Sequence, residues 1–458
     1  MQNRFLEKSL WGFLLPALLC TLLFPLPSQA APRLQDVGEE LVIVIDPGHG
    51  GENQGTIENN HEEKTMTLVT AMAMYQELQL YENVQVYLTR TTDQELSLKE
   101  RAEYAASVNA DFLFSIHYNA SENHELFGSE VWVSSLSPYN GYGYQFGYEF
   151  LTDMRDKGLF LRGVKTRLNS AGIDYYGIIR ESVALQVPAL IIEHCHVDEQ
   201  RDAGYCDSNE KLEAFGRADA TAVARYFGLK SSALQVDYSD YSLAEVPLGG
   251  IVPKTLPDTT APDVCEIAFS SADYEAGVLS LEVAATDYDS PLLYYSYSCD
   301  GGRTFQPREP WPGSDTLTGN YSDTFTLQLK VESGICPEVI VRAYNLYDLY
   351  TESNLYVSPE TFLYGQKEPE DADQEESSLT GPEEPKASLE AASGQVTLSR
   401  EVSFLAFLKI SLGIVVFLML LLVISQAIVY TKRKKRRRQR NQQYQQRNDW
   451  GETKNQHK

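Results

Sequence analysis

The chain reads as an α/β domain with a mostly parallel twisted sheet flanked by helices, followed by an all-β domain and one transmembrane helix. Three patterns predict this. Between residue 41 and about residue 229, short apolar runs of strand length alternate with stretches of helical period. From about 262 to 359 the pattern turns to short alternating runs with turn residues between them and no helical signal. Near the C-terminus, residues 410–430 form a run of 21 without a formal charge, long enough to cross a bilayer as a helix.

Each element follows in order. Residues 1–30 carry Arg4 and Lys8, then an apolar run, then Ser28-Gln29-Ala30, the composition of a secretory signal peptide. Residues 38–230 make the first domain. Its opening strand, Leu41-Val42-Ile43-Val44-Ile45, is apolar throughout, as a strand covered on both faces must be, and Asp46-Pro47-Gly48 turns the chain out of it. Helices are expected near 62–80, 98–108, 144–157 and 209–226, and strands near 84–88, 111–116, 130–133 and 189–192. Residues 231–261 read as a linker. Residues 262–360, with strands near 278–284, 294–298, 325–331 and 339–344, predict an immunoglobulin-like or fibronectin-like sandwich. Asp287, Asp289 and Asp300 within it suit either a calcium site or turns. Residues 361–402, rich in Glu, Pro and Ser, read as a disordered acidic stalk. The expected membrane helix spans 405–430, and the tail 431–458 begins with eight basic residues in nine at 432–440. Such a cluster marks the cytoplasmic side, which puts the preceding domains outside a cell membrane crossed once.

The charge is uneven. The whole chain has a formal net charge of −26, while residues 31–402 hold 24 Lys plus Arg against 61 Asp plus Glu, a net −37. Nucleic acid is therefore not an expected partner of the exterior part. Five cysteines (Cys195, Cys206, Cys265, Cys299 and Cys336) remain beyond the signal peptide, without the paired spacing of a structural zinc site. A Cys195–Cys206 bridge and free thiols are both compatible with this pattern.

Chemistry concentrates at element boundaries. His49 leaves the first strand between Gly48, Gly50 and Gly51; Glu63 opens the first long helix; His117 ends a strand in SIHYNA; Glu193 ends another in ALIIEH. Sites of open α/β sheets lie at such strand ends. Two imidazoles and one carboxylate are a sound set of zinc ligands, and a second carboxylate can then serve as general base. A Cys195 nucleophile with His194 or His196 is the rival enzyme reading and is disfavoured, because adjacent strand residues face opposite sides, which turns His194 away from Cys195.

These residues also carry a resemblance. VIDPGHGG, Glu63-Lys64, LTRTTD (88–93), Leu98 with Arg101, ADFLFSIHYNA (110–120), Gly128-Ser129-Glu130, Arg162-Gly163-Val164-Lys165 and VPALIIEH resemble, in order and spacing, the zinc-dependent N-acetylmuramoyl-L-alanine amidases. The resemblance implies a single-zinc enzyme that hydrolyses the amide between N-acetylmuramic acid and L-alanine in peptidoglycan, with His49, Glu63 and His117 as metal ligands and Glu193 as the catalytic glutamate. It departs from the family at His194-Cys195-His196, where a small residue, an aromatic and a Ser-Asn or Asp-Asn pair are usual, and at Asn53-Gln54, where an Asp is common. Asp46 and Asn119 read as supports bonding the ligand imidazoles. Arg90 and Arg101 are candidates for substrate carboxylates or for local ion pairs, and His194 and His196 for the substrate carbonyl, for an extra metal contact, or for orienting Glu193 or packing. The alternative function is a non-catalytic wall-binding or regulatory module that keeps the fold.

Overall fold

The computed structural model describes residues 40–59, 61–243 and 256–365. In chain order the first part contains β1 (Leu41–Pro47), β2 (Ile57–Glu58), β3 (His61–Glu62), α1 (Glu63–Leu78), β4 (Val84–Leu88), α2 (Leu98–Ser107), β5 (Phe112–Asn119), β6 (Ser129–Val133), α3 (Tyr139–Asp156), β7 (Leu161–Lys165), α4 (Gly177–Ala184), β8 (Ala189–His196), α5 (Gln200–Ala203), α6 (Asn209–Phe227), β9 (Lys230–Ser231) and β10 (Val236–Asp237). Six strands form one sheet in the order β4-β1-β5-β8-β6-β7. β4, β1, β5 and β8 run parallel, and β6 turns antiparallel to β8 and pairs with β7 in parallel.

The continuous apolar runs are explained by burial on both faces. Alternate residues of each strand enter different cores: Ile43, Ile45, Phe112, Phe114, Leu190 and Ile192 meet α1, α3 and α6 through Met74, Phe146, Phe150 and Val223, while Val44, Leu113, Ala189 and Ile191 meet α2 and α4 through Ala105, Ile178, Ile179 and Val183. Each fully buried Leu, Ile or Phe contributes roughly 1.5–3 kcal/mol. Helix limits follow local chemistry. Ser97 and Glu100 form a capping box at α2, and α6 runs from a Ser208 cap to Gly228, whose φ of 69° is the left-handed stop that glycine adopts freely.

The second part consists of two antiparallel sheets. One contains β11 (Val264–Asp273), β12 (Val278–Thr286) and β15 (Thr324–Lys330). The other contains β13 (Leu292–Ser298), β14 (Glu309–Pro310), β16 (Glu338–Asn345) and β17 (Tyr350–Glu352), with β18 (Tyr356–Val357) pairing β16. Leu279, Leu281 and Val283 of β12 and Val339, Val341 and Ala343 of β16 are buried at every second position.

Several expectations need revision. β7, α4 and β11 do not emerge from the sequence reading. Residues 231–243, expected within a linker, pack on the α/β core through Leu234, Val236, Tyr238 and Leu243. Asp287, Asp289 and Asp300 do not form one group: Asp300 is consumed in its own turn by Ser298, Arg303 and Thr304, whereas Asp287 bonds Asn345. The expected signal peptide, the bulk of the stalk, the membrane helix and the basic tail lie outside the described residues. Among the described residues no helix is long and apolar enough to cross a membrane.

Candidate active site

Three elements deliver their side chains to one point. His49 leaves β1 in the left-handed region, at φ 62°, a conformation unfavourable for a residue with a Cβ and held here by the loop around it. Glu63 is the first residue of α1, and His117 lies near the end of β5. Their donor atoms lie within 4.8 Å of one another, and this is the group of metal-ligating type among the described residues. The Glu63 carboxylate stands between the rings, 3.0 Å from Nε2 of His49 and 3.0 Å from Nδ1 of His117.

The surroundings pin this arrangement. Glu63 is buried and accepts from the backbone N–H of Thr56 at 2.9 Å and of Tyr118 at 3.1 Å. Burial opposes its ionisation, but hydrogen bonds and charge from His117 and His49 outweigh that and hold the carboxyl well below its usual range. His49 responds conversely: burial disfavours its charged ring, yet Glu63 and Asn53 raise its pKa. Oδ1 of Asn53 lies 2.9 Å from Nδ1 of His49. With that nitrogen donating, Nε2 is left with its lone pair toward the cluster. A buried anion flanked by two imidazoles, each with a ring nitrogen turned inward, fits a divalent cation such as zinc.

Glu193 belongs to the same edge of the sheet. The β5–β8 register sets it beside His117, and the β6–β8 register sets it beside Glu130. Burial, then the charges of Glu63 and Glu130, push its pKa well above the ordinary carboxylate value. No protein hydrogen bond or ion pair to its carboxylate is present among the described residues. Glu130, by contrast, is fully engaged by Arg162 at 2.8 Å, Lys165 at 2.7 Å and Asn119 at 2.8 Å. Burial again opposes its charge, and Lys165 and Arg162 overcome it to hold Glu130 well below the usual range.

The other candidates take different places. Asp46 and Asn119 do not bond the imidazoles. Asp46 accepts from Arg101 at 2.7 Å, Thr89 at 2.5 Å and Ser115 at 2.8 Å, and Asn119 bonds Glu130. Arg90 and Arg101 are 2% and 3% exposed and hence closed to substrate carboxylates. Instead they hold the glycine loop: Arg90 donates to the carbonyls of Pro47 and Gly48, and Arg101 to those of Pro47 and His49. His194 and His196 are fully buried away from substrate. His194 lies 3.0 Å from Asp219 and 3.2 Å from the carbonyl of His117, so it braces β5. His196 bonds the carbonyl of Gly128, and burial drives its pKa down to about 4, which keeps the ring neutral. Cys195 and Cys206 are buried thiols, and burial followed by the neighbouring Cys206 pushes the Cys195 thiol far up, the opposite of a nucleophile. Sequence reasoning passed over the roles of Asn53 and of Glu130 with its cations; the Asn four residues beyond His49 was the available signal for the first.

An α/β sheet whose edge gathers two imidazoles from strand ends and a carboxylate from a helix start, beside a second carboxylate without a partner among the described residues, has the constitution of a hydrolase. Residues 43–225 match the family described as N-acetylmuramoyl-L-alanine amidase. The amidase CwlM of Bacillus licheniformis is 35% identical over 194 residues, covering 42% of this chain and 70% of its own. The sporulation-specific N-acetylmuramoyl-L-alanine amidase of Bacillus subtilis is 31% identical over 232 residues, covering 50% and 82%. Among solved structures, the catalytic domain of CwlV, an amidase from Bacillus (Paenibacillus) polymyxa, is 24% identical with a TM-score of 0.37, covering 42% of this chain and 99% of that one. The chain belongs to the N-acetylmuramoyl-L-alanine amidase family, and its activity is hydrolysis of the bond between N-acetylmuramic acid and L-alanine in peptidoglycan.

Proposed function

We propose that this amidase is a zinc enzyme in which His49, Glu63 and His117 hold the metal and Glu193 is the general base and acid. The observation that carries the reading is the contrast between two neighbouring carboxylates: Glu130 is neutralised by Arg162 and Lys165, while the carboxylate of Glu193 has no partner among the described residues. Zinc bound by three protein groups would lower the pKa of a water to about 7 and polarise the scissile carbonyl. Glu193 takes a proton from the attacking water and returns it to the leaving amine of L-alanine. Asn53 and His194 keep the two imidazoles aimed, the first by a bond to the His49 ring and the second through the main chain of His117. The products are a stem peptide with a free N-terminal L-alanine and a glycan without it.

The same reading places the enzyme outside the cell on an acidic stalk, tethered by the helix expected at 405–430 with its basic tail in the cytoplasm; the uncharged run followed by eight basic residues supports it. The two antiparallel sheets form an immunoglobulin-like or fibronectin-like sandwich. The test is digestion of peptidoglycan by the purified full chain, with products read by mass spectrometry. Chelator should abolish release of peptides beginning with L-alanine and zinc should restore it, while Glu193→Gln should lower kcat by about 10²–10⁴-fold with zinc still bound. Full activity of Glu193→Gln, or of protein stripped of metal, would defeat the assignment.

A further inference from the structure

The antiparallel sheets do more than follow the amidase domain: they complete it. β7 is the edge of the six-stranded sheet, and Leu346, Tyr347 and Asp348 of the loop joining β16 to β17 contact it or the residue that follows it. The Thr316 hydroxyl reaches the carbonyl of Leu161 at 3.4 Å, and the backbone N–H of Thr166 reaches the Tyr347 hydroxyl at 3.5 Å. Gly163 lets the loop approach, since a Cβ there would stand 3.0 Å from a methyl of Leu346. Phe127, Phe160 and Tyr294 close the seam as three mutually packed rings with centroids 5.0–5.1 Å apart.

A chain of charges crosses this seam and ends beside Glu193. Arg308 pairs with Asp348 at 2.9 Å, Asp348 with Arg162 at 2.7 Å, and Arg162 with Glu130 at 2.8 Å. Tyr294 accepts from the other Arg162 nitrogen at 2.9 Å while donating to the carbonyl of Phe127 at 2.6 Å. The guanidinium of Arg162 is thus held on three sides, two of them by residues of the antiparallel sheets. Glu130, its third partner, is the register neighbour of Glu193 on β8 and bonds Asn119 at the end of the strand that carries His117. Removing Asp348 or Tyr294 leaves the buried guanidinium short of a partner, and Glu130 is the carboxylate it keeps in either case, alone or together with Asp348, so the strain of the loss falls on Glu130.

We propose that Asp348 and Tyr294 are positioning residues of the amidase, fixing Glu130 through Arg162 and thereby the strand pair from which Glu193 works. The inference rests on Glu193 as the general base. Steady-state kinetics of the full chain on a soluble N-acetylmuramoyl peptide tests it with D348A, D348N, Y294F, R201A and E193Q. Arg201 contacts Glu309 and the backbone carbonyl of Arg308 across the same seam but bonds none of the charged groups of Arg308, Asp348, Arg162 and Glu130, so R201A loosens the seam while leaving every ion pair of the charge chain its partners. D348A should lose about tenfold in kcat with KM within twofold, D348N should recover part of that because it keeps an acceptor for Arg162, Y294F should lose a smaller factor, and R201A should behave as wild type. Hydrogen exchange of residues 129–133 and 161–165 should rise in D348A and Y294F and stay unchanged in R201A. Wild-type kcat in D348A and Y294F, with E193Q inactive, overturns the proposal and leaves the Glu193 reading standing. An equal loss in R201A assigns the effect to undocking and also overturns it. An active E193Q removes Glu193 and the proposal together.

Discussion

Gly48→Ala tests the geometry of the candidate metal site with a single methyl group. Gly48 has no positive φ, so alanine there carries no backbone penalty of the left-handed kind; the whole effect is steric. An ideal Cβ at this position would lie 2.3 Å from Cε1 of His117, 2.6 Å from Nε2 and 2.7 Å from Nδ1. Ordinary contact begins near 3.4 Å, so the ring must retreat by about 1.1 Å or the loop must open by as much. Retreat of the loop is resisted by three bonds to the Gly48 backbone: Thr67 at 2.8 Å and Arg90 at 2.7 Å on its carbonyl, and the carbonyl of Ile116 at 3.0 Å on its N–H. Metal sites tolerate about 0.2 Å in ligand distance. A misplacement of about 1 Å costs on the order of 100-fold in rate, or about 2.7 kcal/mol of transition-state stabilisation. The expected outcome is loss of stoichiometric zinc after dialysis, measured by elemental analysis, and a fall in kcat/KM of about 100-fold or more. Gly204→Ala is the control, because nothing lies within 4 Å of its Cβ position and its φ is ordinary for any residue. A Gly48→Ala enzyme that keeps full zinc and activity within threefold of wild type would refute a cluster formed by His117 in this rotamer.

Three further outcomes follow from the same contacts. Arg101→Met leaves the Asp46 carboxylate buried with only two hydroxyl partners and should cost about 3–5 kcal/mol in denaturant unfolding, since breaking a buried pair strands a charge; a loss under 1 kcal/mol would contradict the clamp. Asp287 is raised to about 6 by burial and then by Asp258, so the folded state holds a proton that the unfolded chain has released between pH 4 and 6. Its contribution is full below about pH 4 and is lost as pH rises through 6, so the stability difference between wild type and Asp287→Asn should shrink by up to about 3 kcal/mol from pH 4 to 7; a flat difference in thermal melts would contradict it. Iodoacetamide should modify exposed Cys336 and leave activity unchanged, because Cys195 and Cys206 are buried; inactivation that tracks modification of Cys195 by mass spectrometry would revive a thiol mechanism.

What the sequence discloses of this molecule depends on whether a residue's partner is near in the pattern. β1, β5 and β8 are legible because burial on both faces leaves apolar runs of strand length, and the site residues at their ends inherit that clarity. β7 is hidden for the opposite reason. Its sequence, LRGVK, carries two cations and a glycine, yet all five residues are buried, because Glu130, 32 and 35 residues earlier, receives Arg162 and Lys165. Composition alone makes such a strand look like a surface loop. Likewise the linker expectation fails over 231–243 because the apolar residues that dock there are isolated ones, Leu234, Val236 and Tyr238, without a period.

The arginines show where a plausible inference from residue type goes astray. Arg90 and Arg101 flank the glycine loop, and an arginine near a catalytic edge invites the reading of a carboxylate binder. A loop built to deliver His49 in a left-handed conformation, however, cannot pair its own carbonyls in a sheet. Those of Pro47, Gly48 and His49 point inward and need donors, and each arginine brings five. Asp46 then neutralises one of the two cations through Oδ1, which also accepts from Thr89, and its other oxygen accepts from Ser115. The demand for donors originates in the left-handed backbone that delivers His49 to the cluster with Glu63 and His117. An arginine beside such a loop is therefore first a carbonyl clamp, and recognition of the substrate's charges has to be sought on side chains that remain exposed.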